Sequence, residues 1–341
     1  MNIQIIRSVR EDKNNKSGIG YYADFLEERL TQAGYRTEIV SFELNLDNGV
    51  MNLLRNIVSP GINIIKHRKS TDVTHATAEH CSLFLPLSGG KRIVTFHHVV
   101  KKDEITTKSW KIIWSLSALV SKIFADEFIA ISPQTKRDMI DLLGIEENRI
   151  SIAMHPPKSD MHPTNAPREN IFLFIGVLAN RKNPLAAISV FENIVGIPKY
   201  SGFKLIMCGD GPLKKDIENI IAEKNLGKSI ELISSISVDE LRDLYNKSKI
   251  LFNTSKFEGL GITTLEAQLC GTPTLYFKDA EIPPEVMVAA IPCDDADDMA
   301  KKAITLLEDE NLAKSISEKG ISFAKEFGKD YETKLKEVYS D

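Results

Sequence analysis

Short hydrophobic runs alternate with amphipathic stretches along almost the whole chain. In the first half, the alternation predicts strands near 2–8, 36–42, 71–76, 92–97, 127–131 and 149–153, and helices near 19–33, 50–66, 107–124 and 133–143. The same alternation resumes after residue 170, beginning with the apolar strand "IFLFIGV". Strands that alternate with helices are typical of parallel, doubly wound sheets. The predicted fold class is therefore α/β.

A proline-rich segment divides the pattern into two similar halves. The stretch "MHPPKSDMHPTNAPREN" (154–170) contains four prolines and has no hydrophobic period. We therefore predict a Rossmann-like domain over 1–155, a linker over 156–170, a second Rossmann-like domain over 171–322 and a last helix over 323–341. Open α/β sheets bind ligands at the carboxyl ends of their strands. We expect two doubly wound domains that face a cleft.

Composition narrows the class of protein. The chain is 43% hydrophobic and 26% charged, with a net charge of -4, which argues against a nucleic-acid partner. Its four cysteines lack the spacing of a zinc site and indicate free thiols in a reducing compartment. The amino terminus reads as a strand followed by charges, and no apolar run reaches the roughly 18 residues that span a bilayer. We predict a cytoplasmic protein.

Two glycine pairs resemble parts of a dinucleotide-binding turn. Gly18 and Gly20 precede a helix, but a polar insert separates them from the first strand, so we predict only a phosphate contact there. Gly209 and Gly211 follow a strand directly, although Lys214 occupies the third glycine position. For this second pair we favour a tight strand-to-helix turn without a ligand.

An acidic run and a histidine give weaker evidence for a functional site. The run "DDADD" (294–298) contains a D-x-D pattern but opens a predicted helix, where acidic side chains cap free amides. We therefore predict no metal site. His97 ends the strand "RIVTF" at the edge where a ligand would bind, so a catalytic and a structural role remain equally open.

Two loops of the second half carry the chemistry that we favour. Arg181 and Lys182 follow the strand "IFLFIGV" and precede a helix start, an arrangement suited to a diphosphate. In "EGLGITTLEAQLCGTP", Glu258 and Glu266 are separated by seven residues that include a glycine turn and a helix start at Ile262. The helix start can bind phosphate oxygens, and the carboxylates can accept hydrogen bonds from sugar hydroxyls.

The chain resembles the retaining glycosyltransferases of family 4, which have the GT-B fold. The stretch "EGLGITTLEA" resembles their E-x7-E motif. The stretches "SGIGYYADFLEERLTQAGYRTEIV", "VTFHHVV", "ISPQTKRDMIDLLGIEENRISI", "FLFIGVLANRKNP" and "LIMCGDGP" are similar to further segments in the family's order. The resemblance extends over nearly the whole chain.

The resemblance implies a role for each site residue. Arg181 and Lys182 would neutralise the donor diphosphate, Glu266 would bind the nucleotide ribose, and Glu258 would contact the transferred sugar. Further implied roles are phosphate contacts by Gly20 and the backbone of Leu260 and Gly261, and contact of His97 with the sugar near the reacting carbon. Gly18 and the helix start at Ile262 are predicted phosphate contacts from the residues themselves.

The function implied is transfer of a hexosyl unit from a nucleoside-diphosphate sugar to an acceptor hydroxyl, with retention of configuration. The sugar nucleotide serves as co-substrate, and no other cofactor and no metal are expected. Three alternatives stay open: a nucleotide-sugar epimerase or hydrolase of the same fold, an NAD-dependent oxidoreductase, and a non-catalytic binding protein.

The acceptor is expected to be a polysaccharide, glycan or lipid-linked sugar. The segment "KSWKIIWSLSALVSKIF" (108–124) combines two tryptophans with three lysines. It would permit peripheral contact with the inner face of a membrane, although the apolar content favours a buried helix.

Overall fold

A computed structural model describes residues 1–8, 18–43, 49–100 and 108–340, while the side chains of 18–19, 49–56 and 108–109 are not described. The polar insert before Gly18 lies outside these ranges. The chain divides into two compact units, Met1–Met154 with Asp330–Asp341, and His155–Lys329. The residues from Asp330 onward follow the second unit in the sequence but belong to the first unit.

The first unit contains a six-stranded parallel sheet in the order β2-β1-β3-β4-β5-β6. Its elements are β1 (Asn2–Ser8), α1 (Gly18–Gln32), β2 (Arg36–Phe42), α2 (Gly49–His67), β3 (Val73–Ala76), a 3-10 helix (Glu79–Leu87), β4 (Lys91–Phe96), α3 (Lys108–Phe124), β5 (Glu127–Ala130), α4 (Pro133–Leu143) and β6 (Ile150–Ile152). The helix α4 has the predicted ends, because Ser132 accepts a hydrogen bond from the amide of Thr135 and Gly144 adopts a left-handed conformation.

The second unit contains a parallel sheet in the order β12-β11-β10-β7-β8-β9. Its elements are β7 (Ile171–Ile175), α5 (Pro184–Val195), β8 (Lys204–Cys208), α6 (Lys214–Glu223), β9 (Ile230–Ile233), α7 (Val238–Lys247), β10 (Ile250–Asn253), α8 (Ile262–Leu269), β11 (Thr274–Phe277), β12 (Ile291–Cys293), α9 (Ala296–Glu308) and α10 (Glu310–Glu326). A capping box begins α7, since Ser237 and Glu240 bond each other's backbone amides. All strand pairs in both sheets are parallel, which confirms the predicted α/β class.

The carboxyl-terminal stretch forms two helices where the sequence suggested one. The helix α10 ends at Glu326, and α11 (Tyr331–Ser340) begins after Gly328, whose φ of 73° breaks the helical path. The helix α11 belongs to the first unit and packs its apolar residues into the same core as α1.

A buried polar network fixes α11 to the first sheet. The hydroxyl of Tyr331 donates to that of Tyr22, which lies 3.1 Å from the hydroxyl of Thr95. His75 joins Thr95 at 2.7 Å through Nε2 and the hydroxyl of Tyr339 at 2.5 Å through Nδ1. Burial, with a smaller contribution from the charge of a neighbouring histidine, lowers the pKa of His75 to about 3. His75 is therefore neutral and structural at physiological pH.

The proline-rich segment 156–170 packs onto the second unit. Met161 is buried in one of its cores, and the guanidinium of Arg168 donates to the carbonyls of Tyr245, Ser248 and Cys270 at 2.7, 2.8 and 2.9 Å. Those carbonyls end α7 and α8, so a charged side chain caps two helices at once.

The favoured interpretation of 108–124 as a buried helix is wrong. Ile112 and Ile123 of α3 expose more than half of their surface. The helix packs through Ser117, whose carbonyl accepts a hydrogen bond from Ser82, and through Phe124, which lies against the core of the first unit.

The strand-to-helix turn at Gly209 requires the absence of a side chain. A Cβ atom at this position would lie 1.9 Å from the carbonyl oxygen of Gly176. We expect Gly209→Ala to destabilise the second unit by about 3 to 5 kcal/mol, because backbone on both sides must shift. Urea unfolding followed by circular dichroism measures this change.

Gly202→Ala is the matched control, because its Cβ would meet nothing within 4 Å. It should leave the urea midpoint close to that of the wild type. A Gly209→Ala protein with the same midpoint as this control would show that the turn can open without cost.

Candidate functional site

The order of the second sheet brings two loops together. The chain runs from β7 outward through β8 and β9, then returns to build β10, β11 and β12 on the other side of β7. The strands β7 and β10 are therefore neighbours at a topological switch point, where open α/β sheets bind ligands. Arg181 and Lys182 follow β7, and Glu258 follows β10.

Backbone and hydroxyl hydrogen bonds hold these loops in register. The amide of Lys256 donates to the carbonyl of Arg181 at 2.8 Å. The hydroxyl of Thr254 contacts the carbonyls of Lys182 and Asn183 at 3.2 and 2.9 Å. Asn183 precedes α5 with a left-handed φ of 49°, and its side chain does not cap that helix, although an asparagine before a proline is a common start of a helix. Hydrogen bonds from the loop after β10 thus set the conformation of the loop after β7.

Glu258 holds both predicted cations. Its Oε1 bonds Lys182 Nζ, and its Oε2 lies 3.5 Å from a guanidinium nitrogen of Arg181. The hydroxyl of Ser255 donates to the same carboxylate at 2.7 Å, and the guanidinium of Arg181 lies over the ring of Phe257 at 5.3 Å. Two cations and one carboxylate therefore meet at the strand ends.

Burial strengthens the electrostatic interactions among Arg181, Lys182 and Glu258, which we call the trio. The side chains of Lys182 and Glu258 are about nine-tenths buried, at 10% and 8% exposure. Burial lowers the pKa of Lys182, although Glu258 opposes the change. Burial alone would raise the pKa of Glu258, but Lys182 and Arg181 together bring it below the usual value. The carboxylate is therefore ionised at neutral pH, and the trio carries a net positive charge while Lys182 is protonated.

The helix α8 begins shortly after Glu258 in the sequence, and no side chain caps its first backbone amides. Gly261 occupies the cap position with φ 89° and ψ 38°, and a glycine cap has no side chain to occupy the first amides of the helix. The space around Gly261 is tight, because a Cβ there would lie 3.1 Å from Val286. Leu260 is buried, whereas Ile262 is partly exposed at the helix start. An anion would fit this helix terminus.

Glu266 lies one turn further along α8, in a second polar cluster. It is 2% exposed, and its Oε2 accepts a hydrogen bond from the hydroxyl of Tyr245 at 3.1 Å. Its Oε1 lies 3.5 Å from Lys158 Nζ and accepts no hydrogen bond from the described residues. A buried carboxylate oxygen with spare acceptor capacity is suited to bind a ligand hydroxyl.

In the first unit, His97 lies directly after β4, as predicted. Its Nε2 lies 2.9 Å from the carbonyl oxygen of Thr77, just beyond β3, and its ring meets that of Tyr22 edge-on at 4.8 Å. Gly18 and Gly20 fall in the first turn of α1, the helix that carries Tyr22. The helix α1 therefore places its first turns beside His97.

Glu79 is a second buried group near these strand ends that sequence reasoning missed. It is 1% exposed, and its Oε1 lies 3.2 Å from His80 Nδ1. Burial would raise its pKa, but the neighbouring His80 and His98 lower it below the usual value. Its Oε2 accepts no hydrogen bond from the part of the chain that the structure describes. A buried acidic residue at the start of a short 3-10 helix gave no periodic signal.

The "DDADD" run caps a helix, which confirms the capping interpretation. Asp295 accepts a hydrogen bond from the amide of Asp298 at 2.8 Å, and Asp298 pairs with Lys302 at 2.7 Å. Within the described ranges, no group of three or more histidine, cysteine or acidic side chains could hold a metal ion.

The turn at Gly209–Gly211 is filled by the chain itself. A Cβ at Gly211 would meet the carbonyl oxygen of Leu178 at 2.5 Å, so the backbone after β7 packs directly against this turn. This geometry supports the interpretation of a tight turn.

The structure brings Arg181, Lys182 and Glu258 into one cluster and places Glu266 in another on the adjoining helix. Partners that sequence reasoning missed are Lys158, Tyr245 and Ser255. Ser255 offered a signal, since polar residues just beyond a strand often serve a site. Lys158 and Tyr245 offered none, because each meets Glu266 only through the fold.

Comparison with known proteins places this site within a recognised segment. Residues 158–323, nearly all of the second unit, match the family described as glycosyl transferases group 1. The Campylobacter jejuni GalNAc-alpha-(1->4)-GalNAc-alpha-(1->3)-diNAcBac-PP-undecaprenol alpha-1,4-N-acetyl-D-galactosaminyltransferase is 29% identical over 170 residues, covering 48% of this chain and 45% of that protein. The Escherichia coli O-antigen chain mannosyltransferase B is 20% identical over 269 residues, covering 72% and 69%. The match covers less than half of the first two curated relatives.

Solved structures extend the similarity to both units. Anabaena Alr3699/HepE in complex with UDP and glucose has a TM-score of 0.76 at 13% identity, covering 100% of this chain and 99% of that one. WaaG, a glycosyltransferase involved in lipopolysaccharide biosynthesis, has a TM-score of 0.74 at 12% identity, covering 100% of both chains. Together with the two six-stranded parallel sheets, these neighbours confirm the predicted fold class, Rossmann-like domains of the GT-B type.

Proposed function

We propose that the chain is a glycosyltransferase that moves a hexosyl unit from a nucleoside-diphosphate sugar to an acceptor hydroxyl. The observation that carries the proposal is the buried cluster of Arg181, Lys182 and Glu258 at the switch point of the second sheet. The match to glycosyl transferases group 1 covers these residues, and the curated relatives are named as glycosyltransferases.

Charge development explains why this cluster suits such a reaction. As the bond between sugar and diphosphate breaks, negative charge grows on the leaving phosphate. Arg181 and Lys182 would stabilise that charge in a buried environment, and the free amides of α8 would add to it. A diphosphate would compete with Glu258 for the cations, which would free the carboxylate to accept hydrogen bonds from hydroxyls of the transferred sugar.

Glu266 would bind the ribose of the nucleotide. Its Oε1 has spare acceptor capacity, and Tyr245 fixes the other oxygen. Anabaena Alr3699/HepE was solved with UDP and glucose. This supports uridine-diphosphate hexoses as the first donors to test.

In the first unit, His97 would contact the sugar near the reacting carbon, and Gly18, Gly20 and the Leu260–Ile262 backbone would approach the phosphates. These roles, like retention of configuration and independence of metal ions, rest on the resemblance to family 4. The acceptor would be a glycan or a lipid-linked sugar, since one relative is named for an undecaprenol-linked glycan and another for an O-antigen chain. A lipid-linked acceptor would place the protein at the periphery of a membrane.

A panel of nucleoside-diphosphate sugars tests the proposal. We expect at least one to raise the melting temperature and to yield a glycoside with the donor's anomeric configuration when acceptors are added, as read by NMR. Conversion of the free donor without an acceptor would instead show an epimerase or hydrolase. Stabilisation without turnover against any acceptor would show a binding protein, and stabilisation by NAD alone an oxidoreductase.

A further inference from the structure

Helix α3 exposes four of its aliphatic side chains to solvent. The exposed residues are Ile112 (68%), Leu116 (48%), Leu119 (54%) and Ile123 (62%). Their spacing of four, three and four residues places them on one face of the helix. We call these four residues the α3 stripe.

The opposite face of α3 buries two serines and packs Phe124 against the core of the first unit. Ser117 and Ser121 are fully buried, and the hydroxyls of Ser82 and Ser121 donate to the carbonyl of Ser117 at 2.9 and 2.8 Å. A hydrogen bond between Ser82 and Ser117 thus joins α3 to the 3-10 helix Glu79–Leu87, while the α3 stripe faces outward. A surface helix usually turns such an apolar stripe toward the core.

Helix α2 repeats the arrangement in its described second half. Val58 (48%), Ile62 (62%) and Ile65 (54%) are exposed at a spacing of four and three residues, and we call them the α2 stripe. Gly61 of this helix packs on Leu87, because a Cβ there would lie 3.3 Å from Leu87 Cδ1. Both helices therefore attach to the same 3-10 helix.

Cations border the two stripes. The sequences of α2 and α3 contain no acidic residue. Lys111 on α3, Lys66 on α2, and Arg68 and Lys69 just after it are exposed. Lys122 contributes a further cation, although its Nζ donates to the carbonyl of Leu143 at 3.3 Å.

Exposed apolar stripes bordered by cations are the chemistry of a surface that binds anionic lipid. We propose that the α2 and α3 stripes dock the first unit onto an anionic bilayer. The apolar side chains would lie at the boundary between headgroups and acyl chains, and the lysines would lie at the headgroups. None of the described helices is long and apolar enough to cross a bilayer, so the contact is interfacial. A second copy of the chain fits this face less well, because a symmetric contact would bring like charges together.

Flotation with lipid vesicles tests the proposal without any sugar donor. We expect the wild type to float with vesicles that contain phosphatidylglycerol and phosphatidylcholine, and to stay at the bottom with phosphatidylcholine alone. Salt at about 0.5 M should reduce the floated fraction, since it screens the lysines. The double variant Ile112→Ser/Leu119→Ser should lower the membrane partition coefficient about tenfold or more, because two buried side chains are lost from the contact.

Leu142→Ser is the matched control. Leu142 is 55% exposed on α4, outside both stripes, and should float like the wild type. Because all three substituted side chains are exposed, circular dichroism and melting temperature should match the wild type in both variants. Donor stabilisation of the double variant should be unchanged, so failure here and failure of the proposed function are distinguishable.

The proposal is overturned if the wild type does not float, if it floats equally with neutral vesicles, or if the double variant floats like the control. It is also overturned if sedimentation shows a dimer that Ile112→Ser/Leu119→Ser dissociates, since the stripe would then be a contact between copies.

Discussion

Lys182→Met is expected to lower the turnover number for sugar transfer by roughly 10² to 10³-fold. Lys182 Nζ bonds Glu258 in a nine-tenths buried cluster, where a cation acts on a leaving phosphate with little screening by water. Methionine keeps the aliphatic length of the side chain that lies across Gly176, so packing there is retained. Steady-state transfer kinetics with the preferred donor measure the effect.

Lys199→Met is the matched control for this change. Lys199 lies in the same unit, is 65% exposed and pairs with Glu308 at 2.6 Å. Its removal should leave transfer unchanged, because an exposed ion pair contributes little. Circular dichroism checks that Lys182→Met still folds. Transfer by a folded Lys182→Met protein at the rate of the control would remove Lys182 from the mechanism.

Glu266→Gln is expected to weaken nucleoside-diphosphate binding by roughly 10 to 100-fold, the range of about 1.5 to 3 kcal/mol for a hydrogen bond to a charged group. The amide oxygen can still accept the hydrogen bond from Tyr245, so the fold should be kept. The amide presents one acceptor where the carboxylate presents two, which leaves a ribose diol incompletely bound. Isothermal titration calorimetry measures the dissociation constant.

Glu192→Gln serves as the control for charge removal, since Glu192 pairs with Lys224 at 2.7 Å on the surface of the same unit. Its nucleotide affinity should equal that of the wild type. Equal affinities of Glu266→Gln and Glu192→Gln would show that Glu266 does not contact the nucleotide.

The alternation of strands and helices could be predicted from the sequence because each apolar run is short and bounded by cap and turn residues. Ser132, Ser237 and Asp295 cap helices as their positions predict, since a cap depends only on residues within one turn. The sequence also places Arg181–Lys182 and Glu258 after strands. Their contact depends on β7 and β10 being neighbours, and strand order has no local signal.

Long-range packing explains what sequence reasoning missed. Lys158 lies in a segment without hydrophobic period, yet it pairs with Glu266 far along the chain. The apolar content of α3 favoured a buried helix, because composition alone does not say which side chains of a helix meet the rest of the fold. Ser117 accepts a hydrogen bond from Ser82 and Phe124 lies against the core, so the α3 stripe on the other face is left to solvent.

A crystal structure with a bound nucleoside diphosphate tests the central claim most directly. The account predicts diphosphate oxygens at about 3 Å from Lys182 Nζ and the amide of Ile262, the ribose on Glu266, and the pair of Lys182 with Glu258 loosened. A nucleotide bound elsewhere on the chain, with Lys182 and Glu258 still joined, would contradict it.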